Sequence, residues 1–449
     1  MGRGRVKTIL LTLLVICSFL FAAQNWFGEG LWPQGHTPFV GTGFFSFIGN
    51  LFDGGNEQVP LSAYQTLTDP EWIVANRQGS QKELYNTADP SYAELNGLGK
   101  EMLSALFTGI RTAAPLDDGV EDYRSMLRTQ SLCLHYRTPM PVSLLCRVLS
   151  LPDAALDNIQ VVEELLFLPS ESSANACTLA VLDAKNGNAM TFDFPFAPDR
   201  LKGAIERNTH ADSYLTYAFE INLGQEETTV PLAPTTAISL EPIETPILSA
   251  SSVTGSLGDA VLPLFGYNPH TPKRYTEADD SQVFLDRKSQ LRLGSDGVIS
   301  FESDSDIQGL ELTESIETHA LLQALLNLAE SIDHAAFGGN NEAQLVITSD
   351  LTDLSTVTMD YVCAGRPIRM GEGSAVEAKL VAGRLVSYRQ QLRNYQTTAE
   401  YASAPAVLNA IDTLLENTTS AQMTKPISLR LVYRDTKDQT NLVALWEVQ

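Results

Sequence analysis

Cysteine is scarce in this chain of 449 residues, which contains only five. Cys17 falls in an apolar N-terminal run, so Cys133, Cys146, Cys177 and Cys363 remain for the rest of the sequence. Four scattered thiols do not form the dense disulfide framework of small secreted proteins. Cys133 and Cys146 lie among apolar neighbours and could pair, although buried free thiols fit the same pattern.

Histidine is also scarce, and the common catalytic motifs are missing. The six histidines are His36, His135, His210, His270, His319 and His334. His319 and His334 fall on one predicted helix but are too far apart for a single metal site. The sequence contains no H-E-x-x-H, no C-x-x-C and no G-x-S-x-G, and Asp304-Ser305-Asp306 lacks the spacing of an EF-hand loop. We therefore expect no catalytic residue, no cofactor and no metal.

Positive charge is in short supply, with 30 basic against 54 acidic residues and a formal net charge of −24. A surface of this charge repels nucleic acid and anionic lipid headgroups. The sequence also shows no run of basic residues interleaved with aromatic ones. We therefore expect no nucleic-acid partner.

One long apolar run is present, at the N-terminus. Arg3, Arg5 and Lys7 precede it, and residues 8–28 contain no charged side chain. Those residues would form a helix of roughly 31 Å, enough to cross a hydrocarbon core of about 30 Å. Because basic residues favour the cytoplasmic side, the pattern predicts a single-pass membrane protein with a cytoplasmic N-terminus and an extracellular C-terminal region.

Two other interpretations of this run are open. A signal peptide cleaved after Ala23 would need a small residue at position 21, where Phe21 stands. A lipoprotein would need a small residue before Cys17, where Ile16 stands. In all three interpretations the bulk of the chain is exported.

The rest of the sequence is typical of an α+β protein, with two or three mixed modules built on antiparallel sheets. We divide it into a Gly- and aromatic-rich linker at 29–57 and three segments at 58–230, 231–307 and 308–449. Apolar spacing predicts helices over 91–113, 313–337 and 404–417. Predicted hairpins pair 177–183 with 189–194, and 427–433 with 442–448.

Two segments repeat a short pattern. Val298-Ile299-Ser300-Phe301 and Leu385-Val386-Ser387-Tyr388 each follow a glycine turn with an apolar pair, a serine and an aromatic residue. Ordinary hairpins would produce this pattern, and so would related modules along the chain.

The order of several weak motifs resembles the YycH family over the whole chain. The motifs run from the anchor, through Ser131-Leu132-Cys133-Leu134-His135-Tyr136 and Arg274-Tyr275-Thr276-Glu277, to Asp360-Tyr361, Gly365-Arg366-Pro367-Ile368 and the terminal Leu445-Trp446-Glu447-Val448. The related YycI proteins are shorter and resemble only the C-terminal part. The exported cysteines and the aromatic linker are not features of the family.

The resemblance implies a non-enzymatic, membrane-anchored regulator of a two-component sensor histidine kinase in cell-wall signalling. Its partners would be the kinase, a YycI-like protein and the lipid bilayer, which residues 8–28 would cross. Helices in lipid associate through small and polar side chains. Thr8, Thr12, Cys17 and Ser18 are such residues here, and Thr8 and Thr12 share one face. They are the predicted contacts with a partner helix.

Two other functions are compatible with the sequence. One is an anchored extracellular module that binds peptide or cell-wall fragments. The other is a cell-wall hydrolase or a protease inhibitor, for which no catalytic constellation was found.

Overall fold

The computed structural model describes residues 69–77, 82–109, 112–116, 119–149, 159–183, 189–208, 215–217, 237–239, 242–253, 257–268, 273–305, 309–313, 317–371, 373–404, 429–437 and 439–448. All of them belong to one compact unit, Pro60–Gln449. The predicted anchor and linker lie outside the described residues, as does nearly all of the predicted helix over 404–417. In the ranges given above, no helix combines the length and apolar character needed to cross a bilayer.

A seven-stranded antiparallel sheet, here the N-terminal sheet, occupies the first half of the described chain. Its strand order is β2-β1-β4-β5-β6-β7-β3. The strands are β1 (Trp72–Asn76), β2 (Lys82–Asn86), β3 (Thr112–Pro115), β4 (Ser131–Pro141), β5 (Val161–Pro169), β6 (Cys177–Leu182) and β7 (Ala189–Phe194). The associated helices are α1 (Tyr92–Thr108), α2 (Gly119–Leu127), α3 (Val142–Val148) and α4 (Pro198–Arg207).

Both faces of the N-terminal sheet are covered. On one face Leu132 and Leu134 of β4 share a core with the apolar stripe of α1, which includes Met102 and Leu106. On the other face the intervening Cys133 belongs to a second core, together with residues of α2. This explains why β4 is an almost unbroken buried run rather than an alternating one.

A second, larger sheet, here the C-terminal sheet, contains twelve strands. Its main path runs β11-β12-β13-β14-β20-β19-β17-β18-β22-β24, with β15 on β20 and β16 on β17. The strands are β11 (Lys273–Thr276), β12 (Gln282–Leu285), β13 (Ser289–Leu293), β14 (Val298–Ser303), β15 (Leu310–Glu311), β16 (Gln344–Ile347), β17 (Thr356–Cys363), β18 (Arg366–Met370), β19 (Val376–Val381), β20 (Arg384–Gln391), β22 (Leu429–Asp435) and β24 (Ala444–Val448).

Smaller elements complete the fold. β10 (Ile243–Ser252) lies between β21 (Arg393–Ala404) and β23 (Asn441–Leu442), and β8 (Leu215–Tyr217) pairs with β9 (Ala237–Ser239). A short helix α5 (Gly258–Val261) continues into a 3-10 turn at Leu262–Phe265, and α6 (Thr318–Phe337) is the longest described helix. The α+β class with antiparallel sheets is confirmed, although β18 and β22 run parallel.

The C-terminal sheet is covered on one face by α6. Leu322, Leu325 and Leu326 of this helix lie in the main core. On β19 the alternating Val376, Ala378 and Leu380 are buried, while Glu377 and Lys379 are exposed on the opposite face. The period-2 pattern of a half-covered sheet therefore holds here.

The repeated pattern falls on two neighbouring strands. β14 and β20 pair antiparallel, with Phe301 opposite Tyr388. Gly297 and Gly383 precede them with φ of 81° and 77°, a region that favours glycine. The two copies thus build one continuous surface rather than two separate modules.

The ends of several predicted elements were wrong. The helix predicted to reach residue 113 ends at Thr108, because Gly109 is extended and residues 112–115 form β3. The helix predicted from residue 313 begins at Thr318, after the extended Glu317. Its predicted end is confirmed, since Gly338 has φ of 62° and closes the helix. The two predicted hairpins are confirmed, but β1, β2, β10 and β21 were not predicted.

Two carboxyl groups of α6 are turned towards the core. Asp333 accepts hydrogen bonds from Tyr361 at 2.8 Å and from Asn341 at 3.0 Å. Burial raises the pKa of Asp333 to about 6. Burial and the nearby charge of Asp333 raise the pKa of Glu330 to about 7.

Replacement of Glu330 by Gln should stabilise the protein at alkaline pH. The pKa of Glu330 in the folded state lies above its ordinary 4.5, so the folded protein holds more protons between about pH 4.5 and 7 and loses stability as the pH rises through that window. At pH 8, Glu330→Gln should unfold with a free energy about 1–3 kcal/mol higher than the native chain. Urea titrations at several pH values measure this difference.

The exposed Glu400 provides the matched control, and Glu400→Gln should leave the pH profile unchanged. Equal stability of the native chain and Glu330→Gln at pH 8 would contradict the burial argument.

Candidate functional site: a charge cluster between the two large sheets

The predicted partner-helix contacts Thr8, Thr12, Cys17 and Ser18 lie outside the described residues, so they stay predictions. The four remaining cysteines are described, and all are buried thiols that form no disulfide bond. The alternative of buried thiols is therefore the one the structure adopts.

One cysteine has neighbours that resemble a catalytic triad in composition. Cys133 and His135 alternate on one face of β4, and His135 Nδ1 lies 3.0 Å from Glu164 Oε1. Burial and the charge of Glu164 hold the pKa of the Cys133 thiol well above its usual range. A protonated, fully buried thiol is not a nucleophile at neutral pH. The grouping therefore serves packing rather than catalysis.

The described residues also lack the ligand groups of a metal site. Across the described residues, no group of three or more His, Cys, Asp or Glu side chains is arranged to hold a metal ion.

The densest group of buried charges lies where the N-terminal and C-terminal sheets meet. Glu71 precedes β1 and Arg137 lies on β4, whereas Arg430 lies on β22 of the other sheet. Glu71 contacts Arg137 at 3.4 Å and Arg430 at 3.2 Å. Arg430 also donates to the backbone carbonyl of Arg137 at 3.3 Å. One carboxylate thus joins two guanidinium groups from different sheets.

A second set of ion pairs extends this group within the C-terminal sheet. Arg369 of β18 contacts Asp360 of β17 at 2.5 Å and Glu447 of β24 at 3.1 Å. The charge of Arg369 reaches Glu71 and Arg137, and that of Arg137 reaches Asp360. We call the six residues the junction cluster: Glu71, Arg137, Asp360, Arg369, Arg430 and Glu447. It contains three positive and three negative groups.

The pKa shifts show how strongly these groups depend on one another. Burial alone would raise the pKa of Glu71, but the charges of Arg137 and Arg430 outweigh it and hold that pKa below 4.5. Burial raises the pKa of Asp360, in spite of the neighbouring Arg369. Buried charges of this kind remain ionised only while their partners stay in place.

The geometry of the junction cluster is loose where it crosses between sheets. Glu71 Oε2 and Arg137 Nη1 are buried without a well-formed hydrogen bond, so their ion pairs act through charge more than through directed bonds. Charge-assisted hydrogen bonds are usually shorter, near 2.8 Å. The cluster therefore couples the two sheets mainly through charge.

Aromatic and hydrogen-bonded neighbours fix one side of the cluster. The ring of Trp72 stacks on that of His135 with centroids 3.9 Å apart, and Tyr123 donates to Glu164 at 3.4 Å. The charge of His135 also acts on Glu71. A chain of polar contacts thus runs from the core under α2 to the junction.

Two further contacts join the sheets. The turn between β17 and β18 brings Gly365, with φ of 71°, so close to Asn86 at the end of β2 that a Cβ atom would collide with its side chain. At the surface, Arg147 of α3 forms an ion pair of 3.0 Å with Glu317 at the start of α6. The junction is therefore held at several points, with its buried charges in the centre.

The sequence alone did not reveal this site, although it carried a signal. Arg137 and Asp360 are charged residues inside otherwise apolar strands, a position that requires a partner. Their partners are distant along the chain, and Arg430 follows Arg137 by 293 positions. No local pattern could have joined them.

Comparisons with known proteins give one result. The sequence matches no protein-family profile and no curated protein. The structure is similar to the crystal structure of YycH from Bacillus subtilis, with a TM-score of 0.57 and 11% sequence identity. The likeness covers 86% of this chain and 94% of the other. The chain therefore has a YycH-like fold.

Glu71 and Arg430 should be energetically coupled. Either Glu71→Gln or Arg430→Met should cost roughly 2–4 kcal/mol of unfolding free energy, because each leaves a buried partner uncompensated. The double variant should lose less than the sum of the two, with a coupling of at least about 1 kcal/mol. A double-mutant cycle by urea unfolding at pH 7 measures it.

The coupling has a defined pH dependence. The pKa of Glu71 lies below its ordinary value, so its contribution is present above pH 4.5 and is lost as the pH falls. The exposed pair Arg207 and Glu94 is the control and should show almost no coupling. Additive effects at Glu71 and Arg430 would contradict the cluster's role.

Proposed function

We propose that this protein is a non-enzymatic, membrane-anchored regulator of a two-component sensor histidine kinase in cell-wall homeostasis. Its N-terminus is cytoplasmic, residues 8–28 cross the membrane and the described region is extracellular. Its partners are the kinase and a YycI-like protein. The observation that carries this proposal is the YycH-like fold, which extends over nearly the whole of both chains.

The chemistry of the described residues supports this proposal over a hydrolase. In the grouping of Cys133, His135 and Glu164, burial raises the pKa of the thiol, and the glutamate accepts a hydrogen bond from Tyr123 as well as contacting His135. The acidic chain, with its net charge of −24, also agrees with a partner that is a protein rather than nucleic acid.

Regulation would act through two connected parts. In the membrane, Thr8, Thr12, Cys17 and Ser18 would contact a partner helix, because small and polar side chains allow close approach in lipid. Outside the membrane, the junction cluster would set how the N-terminal sheet is placed on the C-terminal sheet. A partner bound to one sheet could then change the placement of the other sheet through the junction cluster.

A chimera tests the membrane part. Residues 1–60 are replaced by an unrelated single-pass anchor with the same topology, and association with the kinase is measured by co-purification from membranes. We expect association to fall several-fold, with a corresponding change in kinase output. Unchanged binding and unchanged output would refute a role for the anchor.

Point variants locate the contact within the anchor. Thr8→Leu with Thr12→Leu keeps the segment apolar but fills the proposed face, and should weaken co-purification. Leu11→Ile with Leu14→Ile is the matched control at other positions of the same segment. If the threonine variants bind normally while the chimera does not, the contact lies on another face of the anchor.

Gene order provides an independent check. A sensor kinase, its response regulator and a YycI-like gene beside this gene would support the proposal. Their absence would favour the alternative of an anchored binding module.

A further inference from the structure

The free edge of the C-terminal sheet carries features that the proposed function does not use. Within the described part of the chain, β11 (Lys273–Thr276) pairs with β12 alone, and all four of its residues are exposed. It contains most of the Arg274-Tyr275-Thr276-Glu277 motif noted in the sequence.

The main chain of this edge is available for pairing. The backbone N–H of Glu277 donates to the carbonyl of Ser281 at 2.9 Å. This bond continues the ladder beyond the pair formed by Thr276 and Gln282. In an antiparallel pair, alternate residues direct their N–H and C=O groups towards the partner strand. The backbone groups of Arg274 and Thr276 therefore point away from β12, towards solvent.

Apolar side chains stand beside this edge. Tyr275 is 47% exposed and Leu285 is 37% exposed. Both lie on one face of the sheet, because Tyr275 opposes Val283, two residues from Leu285. Only four large apolar side chains are this exposed among the described residues, the other two being Tyr401 and Val443. An edge that is merely protected from aggregation would keep such side chains covered.

Four cations lie together at one end of this edge, on a chain whose net charge is −24. Lys273 and Arg274 on β11 and Arg287 and Lys288 in the β12–β13 turn are exposed. None of these four cations forms an ion pair with another described residue, although the exposed acids Asp286 and Asp304 lie at the same turn. The positive groups thus lie at the Lys273 end of β11, whereas the strand leads at its other end into the acidic Glu277, Asp279 and Asp280, of which Glu277 and Asp279 pair with Arg292.

We propose that the β11 edge binds an extended acidic segment of another protein as an added antiparallel or parallel strand. The outward backbone groups of Arg274 and Thr276 would supply main-chain hydrogen bonds, the four cations would select for acidic side chains, and Tyr275 with Leu285 would pack on apolar ones. A second copy of this chain could pair at the same edge, because antiparallel β11 strands centred on Tyr275 would set Lys273 opposite Glu277; self-association of the full chain in place of peptide binding would overturn the proposal. A lipid surface would not pair with the outward backbone groups of Arg274 and Thr276 as a strand would.

The probe is a blocked peptide of alternating Glu and Val, about ten residues long, which is enough to span an edge strand. Its binding to the full chain is measured by fluorescence anisotropy at low salt. We expect saturable binding that weakens as salt is added, and no binding of the matching Lys and Val peptide. Failure of the acidic peptide to bind would overturn the proposal.

Variants of the protein test whether the acidic peptide binds at β11. Lys273→Glu with Arg274→Glu should weaken binding by at least about tenfold, since it reverses two of the four selecting charges. Lys202→Glu with Lys379→Glu makes the same change in net charge on α4 and β19 and should have a smaller effect. Equal losses in the two double variants would mean that only the overall charge matters.

Backbone variants test strand addition directly. Thr276→Pro removes an outward N–H group, and the same peptide with N-methylated valines removes donors from the probe without altering the protein. Both should abolish binding although every charge is kept. If both bind normally and vesicles of phosphatidylglycerol compete for the same cations, the site is a lipid contact and the proposal is wrong.

Discussion

The fold depends on burying charge where its two large sheets meet. Glu71 lies between Arg137 of its own sheet and Arg430 of the other, and these two guanidinium groups stabilise its buried negative charge. An apolar junction would have been held by area alone and would tolerate sliding. A charged one specifies which residues must face each other, and it becomes costly as soon as one partner is removed. The relative placement of the sheets is therefore tied to a few named contacts.

The two large sheets differ in how far their second face is covered by other elements. The N-terminal sheet is enclosed by α1 on one side and α2 on the other, so alternate residues of β4 enter separate cores. The C-terminal sheet is covered on one face by α6 and by the 3-10 turn that carries Phe265, while at β19 its other face carries the exposed Glu377 and Lys379. A doubly covered sheet has little surface for recognition. The larger sheet, with an open face and the free edge at β11, has the surface on which a partner could bind.

The sequence correctly predicted those elements that depend on residues close together in the chain. Hairpins with glycine turns and the end of α6 at Gly338 depend on neighbours in the chain, and they were correct. The long strands β10 and β21 were not predicted, because their pairing joins segments far apart in sequence. The junction cluster was invisible for the same reason. The basic edge escaped notice because its cations come from a strand and a separate turn, neither of which is a basic run. The predicted membrane contacts depend on residues that the structure does not describe.

Two buried ion-pair sites differ in how strongly they depend on hydrogen-bond geometry. Inside the C-terminal half, Arg393 donates to both carboxylate oxygens of Asp435 at 2.8 and 3.0 Å, and Tyr395 donates to the same group. Directed bonds of this kind lose most of their energy with a small displacement. The contacts of Glu71 are longer and lack that directionality, so they weaken gradually as the groups separate. The energy of the junction cluster therefore depends less steeply on distance than that of the pair formed by Arg393 and Asp435.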